Sequence, residues 1–166
     1  MIYDLLVVGG GAAGFFTAIQ YAENHPGNTV VILEASSKLL SKVAISGGGR
    51  CNVTHACFDP KEMVSYYPRG DKELLGPFHK FLCGDMMAWL DERGVEVKIE
   101  EDGRVFPVSD NSQSIIDLFL RLCEKYKIRN KSKFMREAIM TEILKKFDDD
   151  YPTLFEFEKP NLFYTK

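Results

Sequence analysis

Soft metal ligands are scarce and badly spaced in this chain of 166 residues, which has three histidines and four cysteines. Cys51, Cys57, Cys83 and Cys123 form no C-x-x-C pair, which leaves no four-ligand zinc set and predicts reduced thiols in a cytoplasmic protein. An excess of basic charge is missing as well: the formal net charge is -3, which offers no field to nucleic acid. No apolar run is long enough to span a bilayer, and no basic stretch precedes the apolar segment of MIYDLLVVGGGAAG, so neither a membrane span nor a signal peptide is expected. Internal repeats are absent too. What remains, with 45% hydrophobic and 27% charged residues, is the composition of a soluble globular protein with one core and at most an appendage.

The hydrophobic pattern sets out an α/β arrangement. Residues 3–8 form a short apolar, β-branched run that ends in glycines, the mark of a buried parallel strand. AAGFFTAIQYAE, residues 12–23, places Phe15, Phe16, Ile19 and Ala22 on one helical face, and TVVIL, residues 29–33, reads as a second buried strand closed by Glu34. Residues 35–77 lack a sustained period and read as one long irregular stretch, which in a compact domain is usually functional. A helix is predicted over residues 77–93 with Gly94 as its stop. VEVKI and RVFPV around the turn EDG predict a hairpin, and residues 109–114 supply caps for a helix to about Tyr126. Residues 130–147 read as an amphipathic helix, followed by DDD and an aromatic-rich segment.

Gly9, Gly11 and Gly14 make G-x-G-x-x-G between the first strand and the first helix. That context is the one the mechanism requires: Gly9 permits the turn, Gly11 lets backbone approach a pyrophosphate, and Gly14 lets helix pack on strand. The helix start, Ala12 and Ala13, adds free N–H groups and the positive end of a dipole. Glu34, twenty residues beyond Gly14, stands where a carboxylate accepts ribose hydroxyls, and its charge opposes a 2′-phosphate. The expected ligand is the adenosine diphosphate half of FAD or NAD. A second glycine-rich segment, SGGGRCN at residues 46–52, could lie along a flat ring, with Arg50 or Lys42 neutralising pyrophosphate or charge on a reduced flavin.

VVGGGAAG, SKVAISGGGRCNVTH, YYPRG, ELLGPFHKF and EEDGRVFPVSDNSQSIIDLF together resemble the BaiN/YhiN-type family of NAD(P)/FAD-dependent oxidoreductases, over residues 1–126. The resemblance implies a flavoprotein whose Rossmann-like N-terminal part binds FAD and whose activity is NAD(P)H-linked reduction of a small organic substrate. Some relatives are described as reducing an activated carbon–carbon double bond in bile-acid intermediates, others as amine oxidases. Carried over by position, Gly9, Gly11, Ala12, Ala13 and Gly14 match the pyrophosphate turn, Glu34 the ribose acid, and Lys42, Ser46, Gly47, Gly48, Gly49, Arg50, Cys51 and Asn52 the flavin side. Leu40-Ser41-Lys42 stands where many members have G-R-K. RVFPVSD, residues 104–110, is a family signature that fits a structural hairpin or a substrate contact. Cys51 either packs or acts as a redox thiol beside the flavin.

Members of that family are far longer, so the expected fold is an incomplete Rossmann-like FAD/NAD(P)-binding β-α-β unit over residues 1–128, with a small hairpin and an atypical α-helical tail over 129–166. The function expected is that of an FAD-dependent oxidoreductase, truncated here. The alternative is a non-catalytic nucleotide-binding remnant or split subunit that self-associates or needs a complementing chain. An interaction or DNA-binding module in the tail is the second alternative, because NKSKFMREAI resembles the helical start of ribbon-helix-helix proteins; eight basic and seven acidic residues over 129–166 argue against phosphate binding. The pattern names no catalytic acid or base.

Overall fold

The computed structural model describes residues 2–131. In chain order the elements are β1 (Leu5–Val8), α1 (Ala12–Asn24), β2 (Val30–Leu33), α2 (Ser41–Ile45), a tight 3-10 turn (Ser46–Gly49), β3 (Thr54–His55), α3 (Pro60–Ser65), α4 (Asp71–Phe78), α5 (Cys83–Asp91), β4 (Val97–Ile99), β5 (Arg104–Pro107), α6 (Gln113–Lys125) and β6 (Arg129–Lys131).

β1, β2 and β6 form a parallel sheet with β2 in the middle. Leu5 stands opposite Val30 and Val8 opposite Leu33, while Val31 and Leu33 face Arg129 and Lys131 across the other edge. All four residues of β2 are buried, as a central parallel strand requires. β1 alternates instead: Leu5 and Val7 pack on the core, whereas Leu6 and Val8 are 49% and 77% exposed. The parallel sheet therefore has three strands rather than the two legible in the sequence, because β6 adds to the free edge of β2 just past position 128. The helix expected over residues 130–147, the aromatic segment and the ribbon-helix-helix resemblance lie outside the described residues, save the first two positions, which are strand.

α1 buries Phe15, Ala18, Ile19 and Ala22 against this sheet. Phe16, expected on the same face, is turned partly aside onto Trp89 and Phe81. α6 contributes Ile115, Leu118, Phe119 and Leu122 to the same core, with Phe15 and Phe119 in ring contact at 5.9 Å. At the end of α1, Glu23 accepts from Arg93 Nη2 through both carboxylate oxygens (2.9 and 3.1 Å) and from the Tyr126 hydroxyl (2.9 Å). Three elements distant in sequence are thus tied at one corner.

The second sheet is antiparallel, in the order β3-β5-β4. Its β4–β5 pair is the expected hairpin, with Val97 opposite Pro107, and Gly94 takes the left-handed conformation of a helix stop (φ +79°). Two expectations are corrected. Residues 35–77 hold three short helices and a two-residue strand rather than one irregular stretch: Asp59 caps α3 by accepting from Lys61 N–H at 2.7 Å, with Pro60 in its first turn. The single helix expected over residues 77–93 is the end of α4 and the whole of α5, broken at residues 79–82, where Asp85 turns back to accept the Leu82 N–H at 2.7 Å and starts the second helix afresh.

Candidate nucleotide-binding site

The β1–α1 turn is built as its glycines require. Gly9 has φ +108°, and its N–H donates to the Leu33 carbonyl at 2.7 Å, which pins the turn to the end of β2. At Gly14 a Cβ would lie 2.0 Å from the Gly9 carbonyl oxygen, so only glycine lets α1 approach β1 this closely. A Cβ at Gly11 would meet no atom within 4 Å. Space of that kind above a helix start is what a pyrophosphate needs. The first hydrogen bond of α1 runs from Phe15 N–H to the Gly11 carbonyl, so the N–H groups of Ala12, Ala13 and Gly14 have no partner within the helix. No acidic side chain occupies the first turn, leaving the positive end of the dipole to an anion.

Glu34 stands at the tip of β2 beside this turn. Its two oxygens accept from Ser36 N–H and Gly10 N–H, at 2.7 and 2.6 Å. These bonds, Ser36 first and Gly10 second, hold the carboxyl below its ordinary value, so it is ionised at neutral pH and keeps lone pairs for hydroxyl donors. Gly10, an unassigned x in the sequence motif, is therefore a site residue: besides its hydrogen bond, a Cβ there would come within 3.0 Å of Glu34 Cβ and 2.8 Å of Leu39 Cδ2.

The second glycine segment follows α2. Gly47, Gly48 and Gly49 all have positive φ, +55°, +69° and +87°, and after the right-handed Arg50 (φ −90°) Cys51 returns to +63°. A run of left-handed residues is tolerable only where most of them are glycine. Their surroundings differ. A Cβ on Gly47 would strike the Phe106 ring at 2.7 Å and Asn52 N at 2.8 Å, whereas one on Gly48 would meet nothing within 4 Å. Packing thus demands the first glycine, and open space adjoins the second. Ile45, just before the run, is 75% exposed, an apolar neighbour that the sequence pattern did not single out.

Ala12, Lys42, Ser46, Cys51 and Asn52 meet around one pocket of about 280 Å³, whose other walls include Val43, Val53, Met86, Leu90, Ile115 and Phe119. The helix start and the glycine-rich loop, more than thirty residues apart, therefore open onto a shared, largely apolar space. Arg50 is turned elsewhere: its guanidinium lies 3.9 Å over the Phe106 ring and donates to Glu100 at 2.5 Å and to Asp110 at 3.4 Å. Burial raises the pKa of the Cys51 thiol, and Ser46 offsets this only in part, which disfavours the reactive thiolate. Among the described residues no cluster of histidine, cysteine and acidic side chains could hold a metal, and no helix is long and apolar enough to cross a membrane.

A parallel sheet with a glycine turn at a helix start and an acid at the tip of the next strand defines a Rossmann-type nucleotide-binding fold. The chain belongs to the HI0933-like protein Rossmann domain family, which it matches over residues 3–151. This is the family that SKVAISGGGRCNVTH and RVFPVSD resemble. Curated relatives include a ribosomal RNA dihydrouridine synthase of Escherichia coli, 29% identical over 74% of this chain, and one of Haemophilus influenzae, 29% identical over 73%. A 3-dehydro-bile acid delta(4,6)-reductase of Clostridium scindens is 28% identical over 74%. The chain spans 29% of the length of each of these three relatives. Among solved structures, THI4 of Thermovibrio ammonificans is similar with a TM-score of 0.49 and 14% identity, over 78% of this chain and 38% of that one.

Proposed function

We propose that this chain forms the FAD-binding portion of a flavin-dependent oxidoreductase. The observation that carries the reading is the pairing of an open helix start at Gly11 with an ionised Glu34 tied to the same turn through Gly10. In this reading the N–H groups of Ala12, Ala13 and Gly14 and the charge of Lys42 bind the pyrophosphate. Glu34 accepts the ribose hydroxyls. Ser46, Cys51 and Asn52 face the ring system, and the apolar wall of the shared pocket excludes water from it. Bound FAD supplies hydride transfer, with NAD(P)H as the proposed reductant. The names of the relatives, a dihydrouridine synthase and a delta(4,6)-reductase, describe saturation of a double bond, so an unsaturated organic substrate is proposed.

The test is titration of the purified chain with FAD, followed by flavin absorbance and calorimetry. Saturable one-to-one binding that Gly11→Val abolishes is expected; a chain that binds neither FAD nor ADP would overturn the reading. The exposed Leu6 and Val8 on β1 favour a second reading, a nucleotide-binding subunit that needs a complementing chain. Retention of ADP without FAD would fit that second reading.

A further inference from the structure

RVFPVSD and Ser112, two residues beyond it, hold the glycine-rich loop from several sides. Ser112, 6% exposed, donates its backbone N–H to the Gly49 carbonyl at 2.8 Å and its hydroxyl to the Ala44 carbonyl at 3.0 Å. It therefore fixes the loop at both ends of the glycine run. Phe106, fully buried, fills the space that a Gly47 side chain would take. Arg50 is stacked on the Phe106 ring and bound to Glu100 and Asp110, while Asp110 also pairs with Lys98. Val53 N–H donates to the Val105 carbonyl at 2.9 Å and carries the loop into β3.

We infer that the β4–β5 hairpin and Ser112, at the start of α6, form a clamp that sets Gly47, Gly48 and Gly49 in their left-handed conformation, with Ser112, Phe106 and Arg50 as positioning residues for FAD rather than contacts to it. The inference rests on the FAD reading above and adds to it the device that keeps the ring-side loop in shape. An unclamped run of three glycines samples many conformations, and a ligand that must order it binds more weakly by the population of the competent state. The charge on Arg50 is already matched by two carboxylates, so its loss acts through the loop.

Comparing FAD with ADP separates the two halves of the site, since ADP reaches the turn, Lys42 and Glu34 but carries no ring system to face the glycine-rich loop. Ser112→Ala and Arg50→Gln in the 166-residue chain are each expected to raise the Kd for FAD about tenfold, the scale of one lost hydrogen bond. The Kd for ADP is expected to stay within about twofold, and Ser112→Thr, which keeps the hydroxyl, restores FAD binding and the visible-band shift of bound flavin. Equal losses for FAD and ADP, or no loss in either variant, would overturn the clamp. A wild-type chain that binds ADP but not FAD would overturn it while leaving the nucleotide site standing, and one that binds neither would remove both.

Discussion

Glu34 shows how much one side chain can organise. It accepts a hydrogen bond from the turn before α1 and another from the backbone after β2, joining the two ends of the nucleotide site through a single carboxylate. These bonds depress its pKa in the folded chain, so its contribution to stability is complete above the ordinary carboxyl value and is lost as pH falls through the depressed one. Glu34→Gln preserves shape, but its amide can accept through only one atom. The melting temperature of the variant is expected to lie below that of wild type at neutral pH, and the gap to close below about pH 4. A gap that did not change with pH would mean that the carboxylate charge is not what ties the turn. Gly10 was illegible as the partner of Glu34, because the G-x-G-x-x-G pattern leaves that position open.

Among elements, legibility followed the range of the forces that form them. β1, α1, β2, the hairpin and α6 show local periods strong enough to read from the sequence, and each occurs within a few residues of its expected place. β3 and β6 do not, because among the described residues Thr54–His55 is a strand only through β5 and Arg129–Lys131 only through β2. The break between α4 and α5 was hidden because residues 77–93 are apolar on both sides of it, and only the Asp85 back-bond starts the second helix. Pairing of the α5 end with α1 and α6 was equally unreadable, resting on Arg93, Glu23 and Tyr126. Arg93 and Glu23 are each 19% exposed, so removing the carboxylate is felt more than at a surface pair. Glu23→Ala is expected to cost about 1–2 kcal/mol, at the lower end for hydrogen bonds to charged groups, as read by urea denaturation. A cost indistinguishable from zero would mean that the corner is held by packing alone.

At the scale of the molecule, the two sheets divide the work: the parallel one carries the nucleotide turn and the antiparallel one holds the glycine-rich loop. The parallel sheet has an open flank, since β1 pairs only with β2 among the described residues and carries exposed Leu6 and Val8. Unpaired strand edges with apolar side chains associate. The chain is expected to show concentration-dependent self-association in sedimentation velocity, which Val8→Lys reduces; a monomer at all concentrations would show that the flank is inert. The antiparallel flank is charged by comparison, with Glu100, Asp102 and Arg104 at its turn. The one tryptophan of the chain, Trp89, lies in the core. Its ring contacts Phe16 and Phe119, the latter also a wall of the shared pocket, and its indole N–H meets no acceptor among the described residues. The Arg93 guanidinium lies 4.4 Å over the same ring, and the emission of an indole overlaps the near-ultraviolet absorption band of flavin. One aromatic ring away from the pocket, it would lose its light to a bound isoalloxazine by resonance transfer, giving the chain a built-in optical gauge of cofactor occupancy.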